Sequence, residues 1–298
     1  MKKFIIKVFL FGIAMYLIDI LCGYMFSNMI THTKKGNFGR SNYICNMTNE
    51  DILVFGSSRA IHHYNPKLFI DSLSMSCYNC GQDGNGSILN YGRLLMVSER
   101  YQPQIIIYDV SRFDLLVSDN HAFLGWLKAY YNRNGIPTIF NSIDKTEYWK
   151  MKSSMYQFNS KFIQLISDYI QPSDDSKTQG FRPLKGTMDT MKIKKDKNEH
   201  FQYKFDNVKI DYFKKLIYLC PKTKYVIVVS PSWYGEDSTL YQPIKEICRK
   251  KGIVYIDFSN NKKYIHNNAY FIDGSHLNAA GANEFTKDLI HILKNKIF

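Results

Sequence analysis

The chain carries no internal repeat, which excludes a solenoid, propeller or other array. Its C-x-x-C, Cys77-Tyr-Asn-Cys80, has no second pair and no histidine set beside it, so the spacing of a structural zinc site is missing. The pair also alternates along a strand-like run instead of opening a helix, as a thioredoxin-type motif would. Of six cysteines, Cys22 falls in an apolar stretch. The remaining five, an odd number, read mainly as small buried residues, with a disulfide left open. Acidic residues are scarce beside basic ones, 26 against 39, a net charge of +13. No aromatic-basic RNA motif or helix-turn-helix pattern accompanies that charge, so nucleic acid is not the expected partner. The lysines are scattered, with clusters at Lys192-Ile-Lys194-Lys195-Asp-Lys197 and Lys262-Lys263. A cationic face turned to anionic lipid or acidic glycan fits them better.

What the chain does have is a long apolar run. Val8 to Phe26, VFLFGIAMYLIDILCGYMF, is nineteen residues with one charge, Asp19. That is close to the length of a membrane-spanning helix. No small-x-small cleavage site follows at a signal-peptide distance, so an uncleaved anchor is expected over 1–30. Asp19 is unfavourable in lipid and calls for a partner helix or water. Lys2, Lys3 and Lys7 precede the run, while Lys34, Lys35 and Arg40 follow it, so the positive-inside count is nearly balanced. A short N-terminal stub and a large C-terminal domain place that domain outside the cytoplasm. A polar linker is expected over 31–50, then one large domain over 51–298.

Within that domain, apolar runs recur at α/β spacing: Ile52–Phe55, Met75–Asn79, Ile105–Asp109, Tyr225–Ser230 and Ile253–Asp257. Near-continuous β-branched runs mark strands buried on both faces, as in a parallel sheet. Helical patterns lie between them at Ile88–Glu99, Lys209–Leu219, Leu240–Lys251 and Ala280–Leu293. This alternation predicts a three-layer α/β/α sandwich, doubly wound. The rhythm breaks between the third and fourth strands, at about 113–205. That stretch is an expected insertion, either a substrate wall or a surface loop.

Two segments carry chemistry. Gly56-Ser57-Ser58-Arg59 ends the first strand in a tight turn, and Ser58 is placed at a helix N-terminus, where backbone N–H groups favour an oxyanion. By itself, such a serine is more simply a helix cap. Near the C-terminus, Asp273-Gly-Ser-His276 puts a carboxylate three residues before an imidazole, just ahead of a helix. Asp273 can fix the tautomer of His276, leaving Nε2 to face a hydroxyl. Together, Ser58, His276 and Asp273 supply a nucleophile, a base and the acid that orients it. Tyr78-Asn-Cys-Gly-Gln-Asp-Gly84-Asn85-Gly86 follows the second strand, and its glycines allow a backbone N–H to point into the site. The loop Asp109-Val-Ser111-Arg112-Phe-Asp114 follows the third strand. Arg112 there can hold an oxyanion or substrate carboxylate, or pair with Asp109 or Asp114.

These four blocks, in this order, resemble the SGNH/GDSL hydrolase family, from about Asp51 to Leu293 apart from the insertion. The resemblance implies a flavodoxin-like fold with a five-stranded parallel sheet. It puts Ser58 in the nucleophile's place, Gly84 in that of the glycine N–H donor, and Asp273 and His276 on the D-x-x-H block. The third block, normally G-x-N-D, lacks its asparagine here. Losing one oxyanion donor costs about 3–4 kcal/mol in a serine hydrolase. Arg112, Ser111 or Asn85 are the available substitutes. The G-S-S-R turn and the N-terminal anchor are more similar to membrane-anchored relatives that handle acyl groups on envelope polymers than to secreted lipases. An α/β-hydrolase arrangement fits worse, because there the nucleophile sits in G-x-S-x-G after several strands and the histidine lies far from its acid.

The expected function is a serine esterase or O-acyltransferase acting on acyl esters, chiefly acetyl, of envelope or extracellular polysaccharide. The expected oxyanion donors are Ser58, Gly84 and Arg112, with no metal or other cofactor. The alternative is a non-catalytic glycan-binding or assembly protein on the same fold.

Overall fold

The computed structural model describes residues 1–158, 161–170, 174–189 and 203–298. The Lys192–Lys197 cluster and much of the polar part of the expected insertion lie outside the described residues. In chain order the helices and strands are α1 (Lys2–His32), α2 (Gly36–Asn46), β1 (Ile52–Gly56), α3 (Ser58–His63), α4 (Pro66–Leu73), β2 (Cys77–Asn79), α5 (Ser87–Ser98) and β3 (Ile105–Asp109). They continue with α6 (Ile136–Ile143), α7 (Glu147–Lys150), α8 (Ser154–Phe158), α9 (Phe162–Ile170), α10 (Asn207–Tyr218), β4 (Lys224–Val229), α11 (Gln242–Lys251), β5 (Val254–Asp257) and α12 (Ala279–Lys296). The expected strands stand within a residue or two at their ends, apart from the second, which is shorter.

The chain divides into two compact units. The larger, 48–119 with 175–298, holds the sheet. All strands pair in parallel in the order β2-β1-β3-β4-β5. This is the flavodoxin-like order, with its reversal between β1 and β3, and ligands in such sheets sit at the carboxyl ends of the strands there. Alternate residues face opposite sides. Ile52, Val54, Ile107 and Val228 join Tyr64, Phe69, Phe285 and Leu289, so α3, α4 and α12 cover one side. On the other side Tyr108 meets Phe213 of α10 edge-on at 5.6 Å and lies 3.3 Å from the Asn90 amide of α5.

The smaller unit is 1–47 with 120–174. Helix α1 is long and apolar enough to cross a bilayer, with a mean hydropathy of 2.3 over its best window. The 31–50 stretch expected as a linker is mostly helix, α2. Its polar composition hides the contacts that fold it. The Phe38 N–H donates to Asp168 at 2.8 Å, and Tyr130 donates to Asn42 at 2.8 Å. Both partners come from 120–174, a part of the expected insertion that clusters with the N-terminal segment.

Candidate active site

Strand β1 is buried throughout and ends at Gly56, whose φ is +146°. A Cβ there would lie 2.7 Å from the Asp109 carbonyl oxygen, so the register that pairs Gly56 with Asp109 requires glycine. Helix α3 begins at once with Ser58. Neither serine caps it: Ser57 makes no capping bond, and its buried hydroxyl has no partner among the described residues. The Ser58 Oγ instead lies 2.9 Å from His276 Nε2.

The loop before α12 delivers that imidazole. Asp273 Oδ1 accepts from the backbone N–H groups of Ser275 (2.7 Å) and His276 (2.8 Å). The same carboxylate faces His276 Nδ1 at 3.0 and 2.9 Å. Nδ1 must donate to it, which leaves Nε2 to accept the serine proton. Burial works to raise the Asp273 carboxyl, but bonds from His276 and Ser275 outweigh it and hold the group below its usual value. The loop is pinned by an antiparallel bridge between Phe271 and Leu277, and α12 starts on Asn278, whose side chain accepts from the Gly281 N–H at 3.0 Å. Packing of α12 on α3 brings the two halves together: the Thr286 hydroxyl donates to the His63 carbonyl at 3.1 Å, and Phe285 meets Tyr64 edge-on at 5.1 Å.

Beneath these three residues runs a buried polar chain that sequence reasoning missed. The Leu277 N–H donates to His63 Nε2 at 3.0 Å, and His63 Nδ1 lies 3.1 Å from Ser230 Oγ. Ser230 donates to Asp109 through its hydroxyl at 2.7 Å and its N–H at 3.3 Å. Because Nε2 is an acceptor here, His63 is the neutral Nδ1–H tautomer. Burial pushes its pKa well down, and the charges of His276, Arg59 and His62 add to that. Burial raises Asp109 to about 6 in spite of Arg59 and Ser230. The sequence signals were His63 on the helix behind the serine and an aspartate at the end of β3, but the link through Ser230 exists only once β4 lies beside β3.

Arg59 is buried too. Its guanidinium donates to Glu236 (2.7 Å), the Val110 carbonyl (2.9 Å) and Tyr241 (3.1 Å). It therefore ties the start of α3 to the loops after β3 and β4. His62 is largely covered: Nδ1 meets the Arg182 carbonyl at 2.6 Å and Nε2 meets Asp83 at 3.0 Å. Its ring sits edge-on to His276, centroids 5.7 Å apart. Burial works to raise the Asp83 carboxyl, but the bond and charge of His62 bring it below its usual value.

The expected oxyanion donors fare differently. Ser58 is the first residue of α3, so its N–H has no intrahelical acceptor. Gly81 and Gln82 spend their N–H groups on Asn79 Oδ1 (3.0 Å) and the Gly56 carbonyl (3.2 Å). Gly84 has φ +64° and open space around it, and its N–H has no partner among the described residues. Asn85 directs its amide at the Asp83 carbonyl, 2.6 Å away. Ser111 donates its N–H (2.8 Å) and hydroxyl (3.0 Å) to Asp114. Both substitutes are thus engaged locally. Arg112 is exposed and pairs with neither Asp109 nor Asp114, whose carboxylates are taken by Ser230 and by Tyr108 with Ser111.

In the smaller unit, the ligand atoms of His121, Asp144 and Glu147 lie within 4.8 Å of one another. The Lys150 ammonium stands 3.0 Å from both carboxylates, so this cluster already holds a side-chain cation. All six cysteines are free thiols. Of the second lysine cluster, Lys263 pairs with Asp288 at 2.8 Å and Glu284 at 3.4 Å.

No family model matches the chain, and neither does any curated protein. Among solved structures, one named provisionally as a platelet activating factor from Streptococcus pneumonia is similar at 12% identity and a TM-score of 0.41, covering 95% of this chain and 99% of its own. A second matches at 12% identity and a TM-score of 0.41 over 83% of this chain and 97% of its own. Likeness at that level carries nothing about chemistry.

Proposed function

We propose that this chain is a membrane-anchored serine hydrolase or O-acyltransferase of SGNH/GDSL type, acting on acyl esters. The observation that carries the reading is the continuous relay from Asp273 through His276 to Ser58. Ser58 Oγ attacks the ester carbonyl while His276 Nε2 takes its proton. The C–O bond to the leaving alcohol then breaks, and His276 returns the proton to that alcohol. The acyl group stays on Ser58 until a second hydroxyl attacks and gives its proton to His276; the bond from the acyl carbon to Ser58 Oγ then breaks, and His276 passes that proton to the serine oxygen. Water as that hydroxyl makes the protein an esterase; a sugar makes it a transferase. Asp273 holds the imidazole and offsets its charge as it becomes imidazolium. The backbone N–H groups of Ser58 and Gly84 and the exposed Arg112 take the oxyanion role. Acetyl esters of envelope or extracellular glycan are the substrate class this reading favours, since a membrane anchor and a surplus of cations suit an acidic polymer beside a bilayer.

A second reading, a non-catalytic glycan-binding or assembly protein, is favoured by the third loop alone, where Ser111 is engaged by Asp114 and no asparagine stands. Turnover of aryl acetates by the full chain in detergent separates the two. Acetate release, with transfer to added glycan identified by mass, is the expected outcome. Saturable glycan binding without release of acetate at any pH between the usual carboxylate and lysine ranges would establish the second reading.

A further inference from the structure

We infer that α8 and α9 are membrane-embedded, lying against α1 in the leaflet that meets the C-terminal half of that helix. The first observation is Asp19, an acid in the middle of an apolar helix. Its carboxylate accepts from the Ser153 hydroxyl (2.6 Å), the Ser154 N–H (2.7 Å) and the Met155 N–H (2.9 Å). The charge expected to need a partner inside the span has one, and that partner is the start of α8. Gly23, one turn further along α1, gives α8 its close approach, because a Cβ there would lie 2.2 Å from Ser154 Cβ. Phe26 then meets Phe158 at 5.4 Å and Phe162 at 6.2 Å, the end of α8 and the start of α9.

These contacts fix depth. Asp19 lies seven residues before Phe26, the end of the apolar run, or about 10 Å at the helical rise. The hydrocarbon core is about 30 Å thick. If α1 crosses a bilayer, α8 starts inside the hydrocarbon and α9 starts near its edge.

The second observation is which side of α9 faces outward. Ile163 is 71% exposed, Tyr169 60% and Ile170 68%, values like those of α1 residues such as Phe9 at 67% and Leu17 at 59%. Phe162 and Ile166 continue the same arc at the i, i+3, i+4 spacing. The inward side carries Leu165 and Asp168, both buried, and Asp168 accepts from the Phe38 N–H. An apolar arc outward with a carboxylate inward is the reverse of a helix that faces water. It is the arrangement expected beside acyl chains.

The occupant is therefore lipid rather than a protein partner. The full chain carrying Cys22→Ser, whose other cysteines are buried, is labelled with bimane at single introduced cysteines and placed in bilayers. The sites are Met155→Cys, Ile163→Cys, Leu17→Cys as the span reference and Lys214→Cys as the aqueous reference. Brominated lipid and aqueous iodide serve as quenchers. The expected result is loss of fluorescence to brominated lipid at Met155 and Ile163 of the same size as at Leu17, deeper at Met155 than at Ile163. Quenching by iodide as at Lys214 overturns the inference. Protection from both quenchers also overturns it, in favour of a second copy or another protein. If Leu17 itself escapes lipid quenching, the span fails as well, and the two failures are told apart.

Discussion

Ser58 Oγ and His276 Nε2 stand 2.9 Å apart although 218 residues separate them in the chain. The contact is made by packing of α12 on α3, not by any local turn. Anything that holds those two helices in register therefore acts on the proposed chemistry, even without touching a substrate.

The orienting acid is open to a conservative test. Asp273→Asn keeps an oxygen for the Ser275 and His276 N–H groups but can present an amide donor to Nδ1. His276 then adopts the wrong tautomer, and kcat for ester turnover is expected to fall by about 10⁴-fold, as for the equivalent change in a serine protease triad. Circular dichroism of the variant should match the parent. A fall of less than tenfold would remove Asp273 from the relay.

The buried Asp109 sets a pH dependence of stability. Its folded pKa, about 6, is raised above the ordinary carboxylate value of 3.8. Between those values the folded protein binds more protons than the unfolded chain, so stability falls as pH rises from about 4 to about 6, and the loss is complete above that. The size is about 3 kcal/mol from the shift in pKa. Asp109→Asn should flatten that part of the curve relative to the parent. Thermal unfolding of both at pH 4.5 and 7 checks it, and identical slopes would contradict it.

Gly56 joins β1 to the serine turn. Gly56→Ala puts a β-carbon 2.7 Å from the Asp109 carbonyl and 2.8 Å from Ala60 Cβ, at a φ that L-residues rarely adopt. The expected cost is about 1–3 kcal/mol for the backbone alone. Melting temperature and labelling of Ser58 should fall together. Retention of both would show that the turn tolerates a side chain.

Arg59 and Glu236 form a buried ion pair at 2.7 Å. Arg59→Met strands the Glu236 charge and should destabilise by about 3–5 kcal/mol, whereas replacing both partners by apolar residues should cost much less. Urea unfolding of the two single variants and the double variant measures the coupling. Additive losses would mean the two side chains act independently.

The sheet was legible because its strands are nearly continuous apolar runs, and such runs, buried on both faces, need no partner to be recognised. The Asp273-His276 pair was legible because its geometry is local, one turn closed on its own backbone. His63, Ser230 and Glu236 were not, since each matters only through a neighbour that the crossovers bring in. Helix α2 was missed for the same reason. Its polar sequence reads as a linker until Asp168 and Tyr130 arrive from more than 80 residues away. By sequence the third loop offers replacement donors, but the Ser111–Asp114 capping box already consumes Ser111.

The proposed chemistry requires Ser58 to be an activated nucleophile. Fluorophosphonate labelling of the full chain in detergent, followed by intact mass and peptide mapping, tests it most directly. One adduct is expected, on Ser58, absent in Ser58→Ala and strongly slowed in His276→Ala. A well-folded parent chain that takes no label, or takes it on a different residue, would contradict it.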